Sequence, residues 1–436
     1  MSKRYVFWRT PEGKPYRGTD GKFAPREALA EFGRTARVNQ GQVSWTGFDV
    51  VRLDLAIKLS AAVISPSGEA LGEIDAWSIV RPALTEAVKK KGGSHPLEAK
   101  EVAQIADRIA GEYFRKPEAS YELVSSLSVQ SLPFKRARVA GCTIRPLASR
   151  RDYAYPDHID SRGGPVIAKH IQSSRYQPVG VKTRGRSPCA AADRAFRALS
   201  LLRGLWSLHA TYGSWSMGFG GPRRPPIGVI HTGPIHTLHH PDKALVGDYY
   251  WYERAASEDL KLFAPSKGWH KIERFRKWAI NRIRILPFGK DIEALIIRYI
   301  IALDQSDHDV AFLQMWSILE RLTNTVGANY DETVRRAVWP FSDRDLAKNL
   351  LDCARLQRNL YVHAAKSAEE PDQVSYLMKS FVDHHLINLI RNDFAVMSLE
   401  EYGQYLSLPT DVTTLARNRK WATRAIRFLT SKAPTE

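Results

Sequence analysis

Arg358, Asn359 and His363 stand close together in the segment Arg355–Ala365, RLQRNLYVHAA, among the apolar residues Leu356, Leu360, Tyr361 and Val362. An imidazole titrates near neutrality and can accept or donate a proton. A guanidinium grips phosphate through paired donors, and an amide can orient either group. These are the groups that metal-free cleavage beside a ribose 2′-hydroxyl needs. A base takes the 2′-OH proton, an acid protonates the leaving 5′-oxygen, and a fixed cation meets the charge building on phosphorus.

Spacing limits how the three can cooperate. Leu356, Asn359 and His363 fall at i, i+3 and i+7 and share one helical stripe. Arg358 is five residues from His363, about 140° away around an ideal helix. A single helix does not aim both at one point, whereas two copies related by a two-fold axis could bring both pairs into one cleft. Glu320 is the next candidate, because it follows Leu313 and Trp316 at i, i+3 and i+7 at the edge of an apolar face. It is expected either to fix Arg358 or His363, or to form a surface ion pair with Arg321 or a neighbour.

The elements around these residues predict an α+β chain with a helical C-terminal portion. Residues 1–147 alternate strand-like and helix-like stretches: YVFWRT reads as a strand, APREALAEFGR as a short helix begun by Pro25, and RARVAGCTIRPL as a strand. FDVVRLDLAIKLSAAVIS alternates in places like strands, while DAWSIVRPALTEAVKKK and HPLEAKEVAQIADRIAGEYF have helical spacing. Residues 148–287 form a basic, loop-rich and helical middle region, with a Gly-, Arg- and Pro-rich loop from 148 to 186. Ser187 then caps a strong helix that has Pro188 at its first position. Residues 288–400 hold four helical patterns with short connections, which predicts an antiparallel four-helix bundle. Residues 401–436 carry a basic amphipathic helix, LARNRKWATRAIRFL, and a tail. Its Leu415, Trp421 and Leu429 are expected to pack against the body with the cations outward.

The polar motif in its third helix makes the bundle resemble the HEPN superfamily, whose ribonuclease members carry Arg-x4–6-His with a polar residue after the arginine. Here that is Arg358-Asn359-Leu360-Tyr361-Val362-His363, and FLQMWSILERL resembles the Trp-x3-Glu helix of the Apea-like branch. Other Arg…His pairs of similar spacing, such as Arg203 and His209, lack both the amide and the bundle context. The resemblance spans residues 288–392 and implies a metal-independent endoribonuclease leaving 2′,3′-cyclic phosphate ends. His363 would transfer protons, Arg358 would hold the phosphate and Asn359 would orient one of them. It further implies a homodimer acting in prokaryotic anti-phage defence by abortive infection, with a phage-derived trigger. The alternative is a non-catalytic nucleic-acid-binding or interaction protein whose bundle is inactive.

Charge points to an anionic partner. The 436-residue chain has a formal net charge of +18. Between Phe288 and Glu400 there are 12 basic and 17 acidic residues, leaving 52 against 29 elsewhere, so the basic character lies outside the bundle. RNA is the expected partner, gripped through Arg184 and Arg186, through Arg223 and Arg224, and through Arg419, Lys420 and Arg424. No stretch approaches the roughly 18–20 apolar residues of a membrane span, so no membrane partner is expected. With no secretory signal pattern and three scattered cysteines, a reduced, cytoplasmic setting is expected. No cofactor or metal is expected either. His231, His236, His239 and His240, with Asp242 or Asp248, fit no zinc spacing, and a strand and turn with exposed imidazoles accounts for them. His384-His385 reads as a helix-packing pair, and GFGG at Gly218–Gly221 as a loop.

Overall fold

The structure is a computed structural model that describes every residue except 1–3, 19–20, 46–48, 150–152, 154–174, 216–225, 248–249, 254–261, 266–267, 369 and 432–436. It begins with β1 (Val6–Arg9), β2 (Pro15–Tyr16), α1 (Arg26–Arg34), β3 (Ala36–Asn39), β4 (Gln42–Trp45), α2 (Asp49–Ser60), β5 (Ala61–Val63), α3 (Glu73–Lys91) and α4 (Ala99–Arg115). The order β2-β1-β5 makes a three-stranded antiparallel sheet, and β3-β4 a hairpin. Asp107 on α4 accepts the backbone N–H groups of Tyr5 and Val6, both at 2.7 Å, which ties that helix to the start of the central strand β1. Trp8, Phe32, Ile57, Leu84 and Ile105 share the core of this unit.

A larger unit follows: β6 (Ala119–Leu127), β7 (Ala137–Val139), β8 (Cys142–Pro146), β9 (Gln177–Gly185), α5 (Pro188–Ala210), β10 (Ile235–His239) and β11 (Trp251–Tyr252). Its six-stranded sheet has the order β11-β10-β6-β9-β8-β7, with every neighbouring pair antiparallel. The segment read as one strand, RARVAGCTIRPL, is the hairpin of β7 and β8. Its turn residues Ala140 and Gly141 have φ of 45° and 77°, the pair of positive values that a two-residue type I′ turn needs.

The end of the expected basic loop is in fact β9, an interior strand. Val179, Val181 and Thr183 point inward while Lys182 and Arg184 point out, the period of a half-buried strand. Ser187 caps α5 as expected, accepting the N–H of Ala190 at 3.0 Å, and also donates its hydroxyl to Asp75 on α3, joining the two units.

Seven further helices follow: α6 (His270–Ile285), α7 (Gly289–Leu303), α8 (His308–Leu322), α9 (Tyr330–Val338), α10 (Arg344–Ala364), α11 (Pro371–Arg391) and α12 (Leu399–Tyr405). The last helix is α13 (Val412–Ser431). The four expected bundle helices are α7, α8, α10 and α11, and the short α9 sits between the second and third. The second half of helix α5, from Leu201 to Leu208, is buried all round, as a helix covered on both sides must be. It lies between the sheet and α7, where Gly204 allows close approach: a Cβ there would stand 2.6 Å from Ile296 Cγ2.

One continuous core therefore runs from Leu123 to Leu406, and the expected divisions at 147/148 and 287/288 both fall inside it. The fold is α+β with a helical C-terminal region. No described helix is long and apolar enough to cross a membrane.

Candidate functional site

Helix α10 carries the Arg-Asn-x3-His motif, and it lies at the rim of the helical layer rather than in its middle. Asp343 caps it by accepting the N–H of Leu346 at 3.0 Å, and Ala365 ends it in the left-handed region at φ 48°. The fully buried residues of α10 are Ala347, Leu351 and Ala354, at i, i+4 and i+7. That narrow stripe of mostly small side chains lets α10 rest closely on α9 and α11. The larger apolar residues face outward: Leu346 is 54% exposed, Leu356 58% and Val362 46%. Burying the small stripe leaves these residues outside.

Arg358 continues the buried stripe one turn beyond Ala354. Its guanidinium carbon stands 4.7 Å from the centre of the Tyr330 ring, and its Nη1 reaches Asn359 Oδ1 at 3.5 Å. Tyr330, at the start of α9, meets the indole of Trp316 edge-on at 6.0 Å. The Trp316 N–H in turn donates to Glu320 Oε1 at 2.9 Å. Neither expectation for Glu320 is met, since its carboxylate partner is an indole on its own helix. It is linked to Arg358 through the edge-on pair of rings, Trp316 and Tyr330. Arg355, one turn before Asn359, pairs with Asp331 on α9 and fastens the same face.

His363 is exposed in the last turn of α10 and makes no hydrogen bond or ion pair among the described residues. Because α10 is α-helical without interruption from Arg344 to Ala364, the 140° gap between Arg358 and His363 stands. Within one chain the arginine turns in toward Tyr330 and the histidine turns out, beside the exposed Leu356 and Val362. A depression of about 570 Å³ lined by Ser342, Asp343, Arg344, Asp345 and Thr410 lies at the other end of α10. Arg344 and Arg358 are 14 residues apart, roughly 21 Å along the axis.

Sequence reasoning missed Tyr330, Trp316, Arg355 and Asp331 as the surroundings of Arg358. The Trp316–Glu320 pair was visible as an i, i+4 spacing, but nothing in the sequence said that the Tyr330 ring would meet them.

The basic candidates separate. Arg184 is exposed on β9, paired in register with Ser120, and Arg186 is exposed but engages Glu118 at 3.5 Å. Arg223 and Arg224 lie outside the described residues. Arg419, Lys420 and Arg424 are all exposed on α13. The packing expected of that helix is not found: Leu415 is half-buried, but Trp421 is 57% exposed and Leu429 68%.

The histidine-rich strand has its imidazoles inside, not exposed as expected, except for His240. His231 Nδ1 is 3.2 Å from Asp304, which also pairs with Arg203. His236 Nδ1 is 2.8 Å from Ser125 Oγ, and His239 bonds Thr237 Oγ1 and the Lys243 carbonyl. Burial holds the pKa of His239 below the ordinary range. The rings of His236 and His239 are thus hydrogen-bonded within the protein, and no metal-holding group of three or more His, Cys, Asp or Glu occurs among the described residues. Asp248 lies outside them. His384 stacks on Phe341 at 4.5 Å and His385 is wholly buried, so this pair does pack the helices. No family model, curated protein or solved structure matches the chain.

Proposed function

We propose that the chain is a metal-independent endoribonuclease of the HEPN kind, assembled as a homodimer through α10 and serving in prokaryotic defence against phage. The observation that carries this reading is the outward stripe of Asn359 and His363, which runs beside the exposed Leu356. Exposed leucines on a helix at the rim of a core are what a second copy would cover. Pairing about a two-fold axis there brings two His363 rings to one cleft. One takes the 2′-OH proton while the other protonates the leaving 5′-oxygen, giving a 2′,3′-cyclic phosphate and a 5′-hydroxyl. Arg358 from either copy then neutralises the phosphate, and the exposed Arg184 on the sheet holds RNA that runs past the cleft.

A second reading has its own observation. Arg358 lies over Tyr330 and so serves as a packing pin, which suits a nucleic-acid-binding or interaction protein with an inactive bundle. The two readings differ in what His363→Ala does to cleavage of total RNA in EDTA. His363 is exposed, so its loss should move stability by no more than about 0.5 kcal/mol, yet remove about 10²–10⁴-fold of rate if it transfers protons. Arg358→Lys keeps the charge over the ring but loses the planar fork, and should leave the enzyme inactive. Activity of wild-type protein should also fall on dilution below the dimer dissociation constant. Cleavage that survives His363→Ala in pure protein, or an active and strictly monomeric species in light scattering, removes the proposal.

A further inference from the structure

Helix α13 is divided lengthwise into a cationic and an apolar half. Between Val412 and Ser431 there is no acidic residue, while Arg417, Arg419, Lys420, Arg424 and Arg427 are basic. At 100° per residue, Trp421, Ala422, Ala425, Ile426, Phe428 and Leu429 occupy an arc of about 160°. The five cations fill the rest, with Arg417 and Arg419 flanking the apolar arc on either side. Every side chain from Arg419 to Thr430 is exposed, and Ile426 is 62% exposed. The guanidinium of Arg417 lies 5.2 Å from the Trp421 ring, at the border between the halves. Asp411 caps the helix by accepting the N–H of Thr414 at 2.6 Å, so the helix has a defined start although its apolar half faces solvent.

We infer that α13 lies flat on an anionic lipid surface, with Trp421, Ile426 and Leu429 among the acyl chains and the cations at the headgroups. Both halves are then used at once. Apolar side chains leave water, tryptophan takes the interfacial depth it favours, and the flanking arginines reach outward along their stems to phosphate. A second copy packed on the apolar arc would bury those side chains but leave the cations of both helices in water, with no carboxylate of the helix to meet them. RNA would meet the cations and could stack on Trp421, but it would leave Ile426 and Leu429 in water. The helix, about 30 Å long, has too many charges to cross a bilayer. An interfacial helix needs no such crossing, only a basic face, an apolar face and low overall hydrophobicity.

The test is flotation of the full chain, treated with RNase, with vesicles of phosphatidylcholine alone or with phosphatidylserine added at about one part in three. The protein should float with the anionic vesicles and stay behind with the neutral ones. Replacing Arg419, Lys420 and Arg424 together by glutamine should weaken partitioning roughly a hundredfold. Replacing Trp421, Ile426 and Leu429 together by serine should weaken it at least about tenfold. Both variants should keep the wild-type circular dichroism and urea midpoint, because the altered side chains are exposed. No flotation with anionic vesicles overturns the inference. So does binding to them that the serine variant leaves unchanged, which would mark a purely electrostatic helix of the kind RNA would use. Self-association of the wild type that the serine variant abolishes, with no lipid binding, would identify a second copy as the occupant and overturn it equally.

Discussion

Lys379 and Asp383 form an ion pair one turn apart on α11, each with 1% of its side chain exposed. The ammonium also donates to the Thr211 carbonyl at 2.8 Å, and the Tyr299 hydroxyl donates to Asp383 at 2.6 Å. The pair thereby links α11, α7 and the end of α5, the frame against which the motif helix rests. Replacing Lys379 with methionine keeps the volume and removes the cation. Burial already raises the Asp383 pKa, and Lys379 is the main influence holding it down. Without the lysine, Asp383 must either stay charged and unpaired or take up a proton. Protonating at pH 7 a carboxyl whose unfolded pKa is about 3.9 costs about 4 kcal/mol. That sets the ceiling for the ionisation part, and the lost bond to the Thr211 carbonyl adds on the order of 1 kcal/mol.

Lys379→Met should therefore lose about 3–5 kcal/mol at pH 7, in line with breaking buried pairs generally. The pH dependence follows from the direction of the shift. A carboxyl whose folded pKa is raised contributes stability that is present at low pH and lost as pH rises through that folded value. Moving from pH 7 to pH 5 should thus return up to about 2.7 kcal/mol to the variant relative to wild type. Adding Asp383→Leu and Tyr299→Phe should recover most of the deficit, because an apolar core replaces the whole polar network. Urea denaturation at the two pH values measures all of this. A deficit under about 1 kcal/mol at pH 7, or one that does not shrink at pH 5, would falsify the account.

Two other perturbations read the same frame. His385 is wholly buried, with Nε2 donating to the Ala337 carbonyl at 2.9 Å and Nδ1 accepting from the Tyr402 hydroxyl at 3.0 Å, and burial pushes its pKa down to about 4. A histidine depressed this way contributes stability above its unfolded pKa of about 6.5 and loses it as pH falls toward 4, up to about 3 kcal/mol; His385→Gln should flatten the urea midpoint across that window, and an unchanged slope refutes it. Gly204→Ala should lose about 1–3 kcal/mol by forcing α5 and α7 apart. Adding Ile296→Ala should not restore it, because the new Cβ would still stand 2.9 Å from the Ile296 carbonyl oxygen; a rescued double variant would show that only the side chain stands in the way.

What was legible in the sequence follows from how local each signal is. Ser187-Pro188 and the long apolar run after it predict α5 at the correct residue, because a cap and a 3.6-residue period are properties of one segment. The strands β6 and β9 escaped for the same reason. ASYELVSSL has serines where an interior strand usually has branched apolar residues, and QPVGVKTRG carries Pro178 and Gly180. Gly180 is required by a neighbour far away in sequence, since a Cβ there would collide with the Glu122 carboxylate that Arg145 and Tyr153 hold in place. Helix α2 shows the opposite failure. Val51, Leu53, Leu55, Ile57 and Leu59 alternate as a strand would, yet the segment is helical and buries only Ile57. Tertiary context outweighed the pattern.

The motif helix shows where local reading stops. One apolar stripe of Ala347, Leu351 and Ala354 runs along α10, and Leu346, Leu350 and Leu356 are spread over an arc of about 120° beside it. Hydrophobicity alone favours burying the leucines, but the structure buries the stripe with two alanines, because close contact with α9 rewards small side chains more than it rewards transfer of large ones. That choice rotates everything downstream. It turns Arg358 toward Tyr330 and leaves Asn359 and His363 on the side that carries exposed leucine. The angle between arginine and histidine could be computed from the sequence, but the face that α10 presents could not. The proposed site would close only across a second copy and so depends on that face, which is why the test of function and the test of assembly fall on the same few residues of α10.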